Sequence, residues 1–559
     1  MELSRSRRWY KSCNWLLIVD RSNHQMTKNA FYKAAALSLI VAIASCLAAD
    51  STQSVIQEST LKTYLEYLAS PSLEGRKALQ PASMTAAHYI AENFLKAGLR
   101  PGTPDMRFYQ TVPVETFAYL GDQTLMTDSA GDTLQGGKDF WLFPRKKLNP
   151  AEGEVCFCGY GIQAPEAGYD DYQKIDVSGK FVIAFLGEPA TKDTSNFFGK
   201  NRSTRYAIVP VKAGIASKLG AVGLILTTPP ALRDDVWRSA VERKQEDWQP
   251  DIIQAVGDKE FPVIYLDPDQ AASFFAAKAN LNMQQYFDEL NTGLKGMAVP
   301  VPGVVLHLNP AFSETIESST VNVVAILEGQ SGDTGEAIVI GAHYDHLGME
   351  NGKIFYGADD NASGVSALLT LAKALGKQEM QLDRTIIFIA FGAEEEGLIG
   401  SRYYVEHPVV PLEKTIAMIN MDCIGREGSD SFRNMFRPPQ TEKERNLLFA
   451  FYSANYPDLK KMVLDLPNPG GLWLRPDPLT GSFDFGDHAP FLHSGVPVLF
   501  FFSGYNADYH TSEDTVDKIV FPKLTKITTL IYHAIIRLAN NSTQLKEEKV
   551  KTSSSSPMY

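Results

Sequence analysis

Residues 337–346, Ala337-Ile338-Val339-Ile340-Gly341-Ala342-His343-Tyr344-Asp345-His346, set an apolar run directly before two imidazoles and a carboxylate. A continuous apolar run of this kind reads as a strand buried on both faces, as in a sheet covered by helices. Three further runs have the same form, Thr385–Phe391, Ile416–Met421 and Val498–Phe502, and helical segments such as 362–376 separate them. The pattern from residue 320 onward is therefore α/β, and ligands are expected at the carboxyl ends of the strands. Polar groups stand at those ends. Glu394, Glu395 and Glu396 follow Phe391, Asp422 follows Met421, and Tyr509-His510 lies beyond Phe502. Asp359-Asp360 opens the helix that begins near Ala362.

Working outward, the whole chain has 559 residues, 44% hydrophobic and 21% charged, with a formal net charge of −12. So much apolar mass excludes a disordered chain, and the length suits three or four domains of about 150 residues. The acidity argues against a nucleic-acid partner, because phosphate neutralisation needs a basic face. Five cysteines cannot scaffold so long a chain, and Cys156 and Cys158 alternate on one strand, a poor geometry for a mutual disulfide. Residues 58–100 read as two helices, with Ala87, Ile90, Ala91, Phe94 and Leu95 near one face of the second and a stop at Gly98. Short alternating strands are expected up to about residue 147. Residues 153–300 differ in texture, with β runs at Phe181–Leu186, Val222–Thr227 and Pro262–Leu266, and read as an inserted module.

Only one long apolar run exists, residues 34–45 ending at Cys46, and it is short of the roughly 20 residues a spanning helix needs. It fits the core of a secretory signal, with Lys28 and Lys33 as the basic region and Met26 as a natural start. Ile43-Ala44-Ser45-Cys46 resembles a bacterial lipobox. That implies export, lipidation at Cys46, and a periplasmic protein anchored to the outer membrane, since Leu47 is not the Asp associated with inner-membrane retention. An ordinary cleaved signal or a short anchor is the alternative. The polar tail 541–559 reads as disordered.

Taken singly, the polar motifs are weak. A lone His-x-Asp is more often a surface or core pair, and Asp359-Asp360-Asn361 would usually be a helix N-cap. Asp422 is harder to dismiss, because a carboxylate in an apolar strand is costly without a cation or donors. Their recurrence at one strand end after another makes the bland reading improbable. Carboxylates with imidazoles, and without a clustered thiolate, suit a divalent ion such as zinc. The set is too large for one tetrahedral site that keeps a water. It matches two ions sharing a carboxylate, about 3.5–4 Å apart.

These segments resemble the ordered motif set of the M28 family of dizinc metallopeptidases: His343-Tyr344-Asp345-His346-Leu347-Gly348, Gly357 through Gly364, Ala393 through Ser401, Asn420-Met421-Asp422 and Tyr509-His510-Thr511. The likeness covers roughly residues 320–540, and it is fainter over 58–115, where Leu68 through Arg76 carries it. It implies a mixed central sheet flanked by helices, the zinc-exopeptidase fold, and two Zn²⁺ per chain. By this resemblance Asp360 bridges the ions, His343 and Asp422 complete one site, and Glu395 and His510 complete the other. Glu394 is the catalytic carboxylate, Tyr509 an oxyanion donor, and Asp345 orients the ring of His343. The Asp360–Asn361 peptide is expected to be cis. Gly486-Asp487-His488 departs from the family's Ser-Asp-His at its first position.

Residues 151–305 resemble a protease-associated (PA) domain, through Gly159-Tyr160-Gly161-Ile162, Asp176 through Val182, and Lys212 through Gly223. The organisation expected is a signal and extension (1–45), the first part of the peptidase domain (46–150), the insert (151–305), the catalytic domain (306–540) and the tail. The resemblance implies an aminopeptidase acting on peptides with a free N-terminus. An M28 carboxypeptidase and an acyltransferase of the glutaminyl-cyclase type are the alternatives, the latter disfavoured because both full ligand sets are present. The sequence does not define an oligomeric state.

Overall fold

The apolar runs are strands of one large sheet. The computed structural model describes residues 55–548, apart from 191–196, 200–203, 243, 246–250, 331–334, 378–381, 429–437, 469, 480–484 and 541–544. Cys46, the signal and most of the tail therefore lie outside the described residues. In chain order the strands on the main path of the sheet are β1 (Tyr109–Ala118), β2 (Asp251–Ala255), β3 (Ile316–Leu327), β4 (Ala337–His343) and β5 (Thr385–Phe391). They continue with β6 (Thr415–Met421), β7 (Leu447–Ser453), β8 (Trp473–Arg475) and β9 (Val498–Phe502). Across the sheet the order is β2-β1-β3-β5-β4-β6-β9-β7-β8. The central four, β5, β4, β6 and β9, are parallel. β3, β1 and β2 continue antiparallel on one side, and β7 pairs antiparallel with β9 on the other. The sheet is mixed, as the resemblance implied.

Alternation along the strands explains why both faces are covered. Ile387, Ile389 and Phe391 of β5 join Val339 of β4 and Phe500 of β9 in one core. Phe388, pointing the opposite way, meets the ring of Phe94, 6.1 Å between centroids. Phe94 belongs to α2 (Pro81–Lys96), which follows α1 (Glu58–Leu68). These two pack with α3 (Gly364–Gly376). Tyr404 of α4 (Ile399–Glu406) and Phe491 of α5 (His488–His493) close the first core. The long helix α6 (Phe521–Ala539) packs on α1, α3 and β4. Each fully buried Leu, Ile, Val or Phe in such a core contributes about 1.5–3 kcal/mol. Both N-terminal helices form as the sequence predicts, with one difference. Leu95, placed on the apolar face of α2, is 62% exposed, because Phe94 already occupies the core-facing position one residue earlier.

A second, eight-stranded sheet occupies much of the region between β1 and β3. Its order is Thr133–Gln135, Leu125–Asp128, Ala298–Asn309, Ala151–Cys158, Lys180–Phe185, Gly223–Thr227, Val263–Leu266 and Phe140–Leu142. The boundary drawn at residue 151 cuts through it, since three strands before that residue pair here rather than with the central sheet. Conversely Asp251–Ala255 leaves the insert and pairs with β1. Short alternating strands show which face is buried but not which neighbour they pair with. Cys156 and Cys158 face the same core as free thiols, 3.8 Å apart at sulfur. Within the tail, Lys546 N–H donates to Asp458 and Glu548 N–H to the carbonyl of Asn455. Among the described residues no helix is long and apolar enough to cross a membrane.

Candidate metal centre

The parallel strands deliver the predicted residues to one edge. His343 is the last residue of β4, Glu394 and Glu395 lie just beyond β5, Asp422 follows β6, and His510 lies in the loop after β9. Asp360 comes from the turn 358–363, which leads into α3. Gly357 permits that turn: its φ is +57°, and a Cβ there would stand 2.3 Å from the carbonyl oxygen of Asp360 and 2.6 Å from the His346 ring. The Asp360–Asn361 peptide is cis. Asn361 fixes the start of α3, accepting from Gly364 N–H at 2.9 Å to cap the helix and donating to Met421 O at the end of β6.

The convergence is close. His343 Nε2 lies 3.2 Å from Asp360 Oδ1 and 3.5 Å from Asp422 Oδ1. On the other side of Asp360, His510 Nε2 lies 3.1 Å from Oδ2 and 3.2 Å from Glu395 Oε2. Glu394 Oε2 is 3.9 Å from His343 Nε2. Although they crowd together, His343 Nε2, His510 Nε2, Asp360 Oδ2 and Asp422 Oδ1 are buried without a hydrogen bond. Donor atoms that aim inward and stay unpaired fit a cation between them, because unpaired buried polar groups are otherwise costly. The donor set, imidazole and carboxylate oxygen, suits zinc.

The protonation preferences agree. Burial alone would lower the pKa of His510, but Asp360 and Glu395 draw it up to about 10. Burial opposes ionisation of Asp360 too, yet His343 and His510 hold it well below the usual carboxylate range. Glu395 is brought down to about 2 by His346 and His510, against burial and Asp360. Glu394 behaves differently. Burial, reinforced by Glu395, Asp487 and Asp422, holds it well above the usual range, with His343 opposing. The ligand carboxylates therefore favour positive charge nearby, while Glu394 favours a proton, as a general base that must later act as an acid should.

Several supporting residues differ from expectation. The resemblance implies that Asp345 orients His343 through its carboxylate, but Oδ1 stands 4.0 Å from His343 Nδ1. The ring contact goes to the Asp345 carbonyl, at 3.2 Å. The carboxylate instead accepts from the backbone N–H groups of Glu394 and Glu395, at 3.0 and 3.2 Å. Two convergent N–H donors hold a carboxylate as well as one imidazole would. Tyr509 stacks on the ring of its neighbour His510, with centroids 3.9 Å apart, and meets the ring of Tyr505 edge-on at 4.4 Å.

Sequence reasoning gave no role to His346, whose Nδ1 lies 2.8 Å from Glu395 Oε1. Its position three residues after His343 was the available signal. It also missed Asp514, whose carboxylate accepts from the N–H groups of Asp359 and Asp360. Nothing local marks that residue. Arg76, quoted only within a faint motif, is 1% exposed and donates to the carbonyls of Tyr344, Leu68, Tyr356 and Gly357. One thiol lies close to the cluster, which the cysteine pattern in the sequence did not suggest. Cys423, Asp360 and Asp422 offer ligand atoms within 4.8 Å of one another.

A mixed sheet with histidines and carboxylates meeting at the carboxyl ends of its parallel strands defines a metallopeptidase-type catalytic domain. Residues 322–535 match the sequence model of Peptidase family M28. Aminopeptidase YwaD of Bacillus subtilis is 25% identical to the chain over 317 residues, which cover 52% of this chain and 64% of that protein. A glutamate carboxypeptidase 2 homolog of Caenorhabditis briggsae is 31% identical over 552 residues, covering 84% of this chain and 64% of its own length. The chain thus spans just under two thirds of both relatives. Among solved structures, an aminopeptidase from Aneurinibacillus sp. strain AM-1 superposes with a TM-score of 0.51 at 19% identity, covering 89% of this chain and 97% of that one. That likeness establishes a shared fold.

Proposed function

We propose that the protein is a zinc-dependent aminopeptidase that releases N-terminal residues from peptides. The observation that carries this is the meeting of His343, Asp360, Glu394, Glu395, Asp422 and His510, with inward-facing atoms unpaired, in a segment that matches the M28 model. Asp360 would bridge two ions, one completed by His343 and Asp422, the other by Glu395 and His510. Divalent ions held there would supply polarisation of a scissile carbonyl and a lowered pKa for an attacking water. Glu394 takes the proton of the attacking water and delivers it to the leaving amine. Tyr509, beside His510, donates a hydrogen bond to the developing oxyanion. The substrate's ammonium group is attracted by the carboxylates around the site. The name of the B. subtilis relative supports the direction of cleavage.

A second reading, carboxypeptidase, is favoured by one observation: the C. briggsae carboxypeptidase homolog aligns over 84% of the chain. Short peptides blocked at one end or the other separate the two. Cleavage of the C-terminally amidated peptide but not the N-acetylated one, abolished by a chelator and restored by zinc, is expected. Cleavage of the N-acetylated peptide alone would establish the carboxypeptidase, and insensitivity to chelation would refute both. In this reading the second sheet is a PA domain that narrows access to the cleft. Export and lipid attachment at Cys46 complete it; a mature N-terminus elsewhere would remove the anchor.

A further inference from the structure

Asp422 and Cys423 are consecutive, and at the end of an extended strand consecutive side chains point to opposite faces. Here they do not. Cys423 has φ +48°, a left-handed conformation rare outside glycine. That twist turns the strand end and leaves the thiol beside Asp422 and Asp360, with all three ligand atoms within 4.8 Å of one another. Asp422 N–H still donates to Phe501 O, and Ser503 N–H to Cys423 O, so the conformation is fixed by continued pairing with β9. Cys423 is 2% exposed and carries no disulfide. A second feature points to a ligand at this place: Asp360 Oδ2 and Asp422 Oδ1, from the two carboxylates beside the thiol, are buried without a hydrogen-bond partner, and the Asp360 side chain is 4% exposed.

We propose that Cys423 is a thiolate ligand at the metal centre, joining Asp360 and Asp422 on a shared ion. The inference rests on the metal-centre reading above and adds to it a soft donor. A carboxylate–carboxylate–thiolate set prefers thiophilic ions such as zinc, cobalt or cadmium over manganese or magnesium. On coordination the S–H bond breaks, its proton passes to solvent, and a sulfur lone pair forms the bond to the ion.

Titrating the metal-free, full-length protein with cobalt(II) tests it spectroscopically, without reference to turnover. Wild type is expected to show visible d–d bands from cobalt bound by imidazole and carboxylate, together with a near-ultraviolet thiolate-to-cobalt charge-transfer band. Cys423→Ser should lose the near-ultraviolet band and keep the visible ones, and a double Cys156→Ser, Cys158→Ser variant should keep both. Cadmium affinity should fall at least roughly tenfold in Cys423→Ser, with manganese affinity little changed. If wild type shows visible bands without the charge-transfer band, the thiolate proposal is overturned while the metal centre stands. Persistence of the band in Cys423→Ser overturns it equally. Absence of any cobalt binding removes the metal centre and the proposal with it. The wild-type spectrum decides the matter even if the variant folds poorly.

Discussion

Three residues of the site, Ala393, Cys423 and His510, hold left-handed backbone conformations at φ +55°, +48° and +57°. Each is a ligand candidate or the immediate neighbour of one. For non-glycine residues this costs about 1–2 kcal/mol each, and it persists only where the surroundings over-determine it. The effect is to aim side chains that regular strand geometry would spread apart. Glu394, next to Ala393, illustrates the division of labour: its proton affinity is raised by burial, while Glu395 beside it is lowered by two imidazoles. Glu394→Gln is therefore expected to keep its bound zinc and lose about 10²–10⁴-fold in kcat, the range for a positioned general base. Asp360→Asn, which removes charge from both half-sites, should lose metal as well as activity. Zinc quantitation beside steady-state rates checks the pair. Near-full turnover of Glu394→Gln with intact zinc would assign the base to another group.

The turn 358–363 and the loop after β9 are held against each other as a unit. Asp514, in that loop, accepts the N–H groups of Asp359 and Asp360 at 3.0–3.1 Å and so fixes the backbone that carries the bridging carboxylate. Arg426, just beyond β6, bonds Asp508 at 2.8 Å and lies 3.8 Å from Asp514. Three segments that hold candidate ligands are thus cross-braced from behind. Asp514→Asn keeps the shape but replaces one acceptor oxygen by a donor that opposes an N–H. Outer-shell changes of this kind typically cost about 10–100-fold in metal affinity. Competition with a chromophoric chelator should show that loss for Asp514→Asn, and an affinity unchanged within error would mean that the turn is held without it. This bracing is invisible in the sequence, whereas the strands are not. Apolar runs ending in His343, Glu394 and Asp422 announce themselves locally, because burial and strand direction act over a few residues. Asp514, Arg76 and the thiol of Cys423 act across long separations or through a single backbone angle, and no periodicity encodes either. The same limit explains the misplaced insert boundary, where Leu125–Asp128 and Phe140–Leu142 pair with strands far along the chain.

At the scale of the molecule, the candidate ligands span residues 343 to 510, drawn from five separate segments of the chain. Arg76 adds the N-terminal region to this arrangement by donating to carbonyls up to 281 residues away. The catalytic edge is also tied to the second sheet's neighbourhood, where Arg402 of α4 forms a two-pronged pair with Asp258 at 2.7 and 2.8 Å, and Lys146 joins the same carboxylate. Ions that bind only when these segments are assembled must stabilise the assembled state. By mass action the gain is about 2.7 kcal/mol for one site at a free-ion concentration of 100 Kd. Removing zinc should accordingly lower the unfolding temperature, and restoring it in excess should recover the temperature in proportion to the logarithm of free zinc. Asp360→Asn supplies the control, since it should melt at the same temperature with or without a chelator. Were wild type equally indifferent, the carboxylates and imidazoles would be held in place by the fold alone, and the convergence at the strand ends would not depend on a cation. A dependence seen in wild type and lost in Asp360→Asn would show that part of the chain's acidity belongs to its core stability only through the ions it binds.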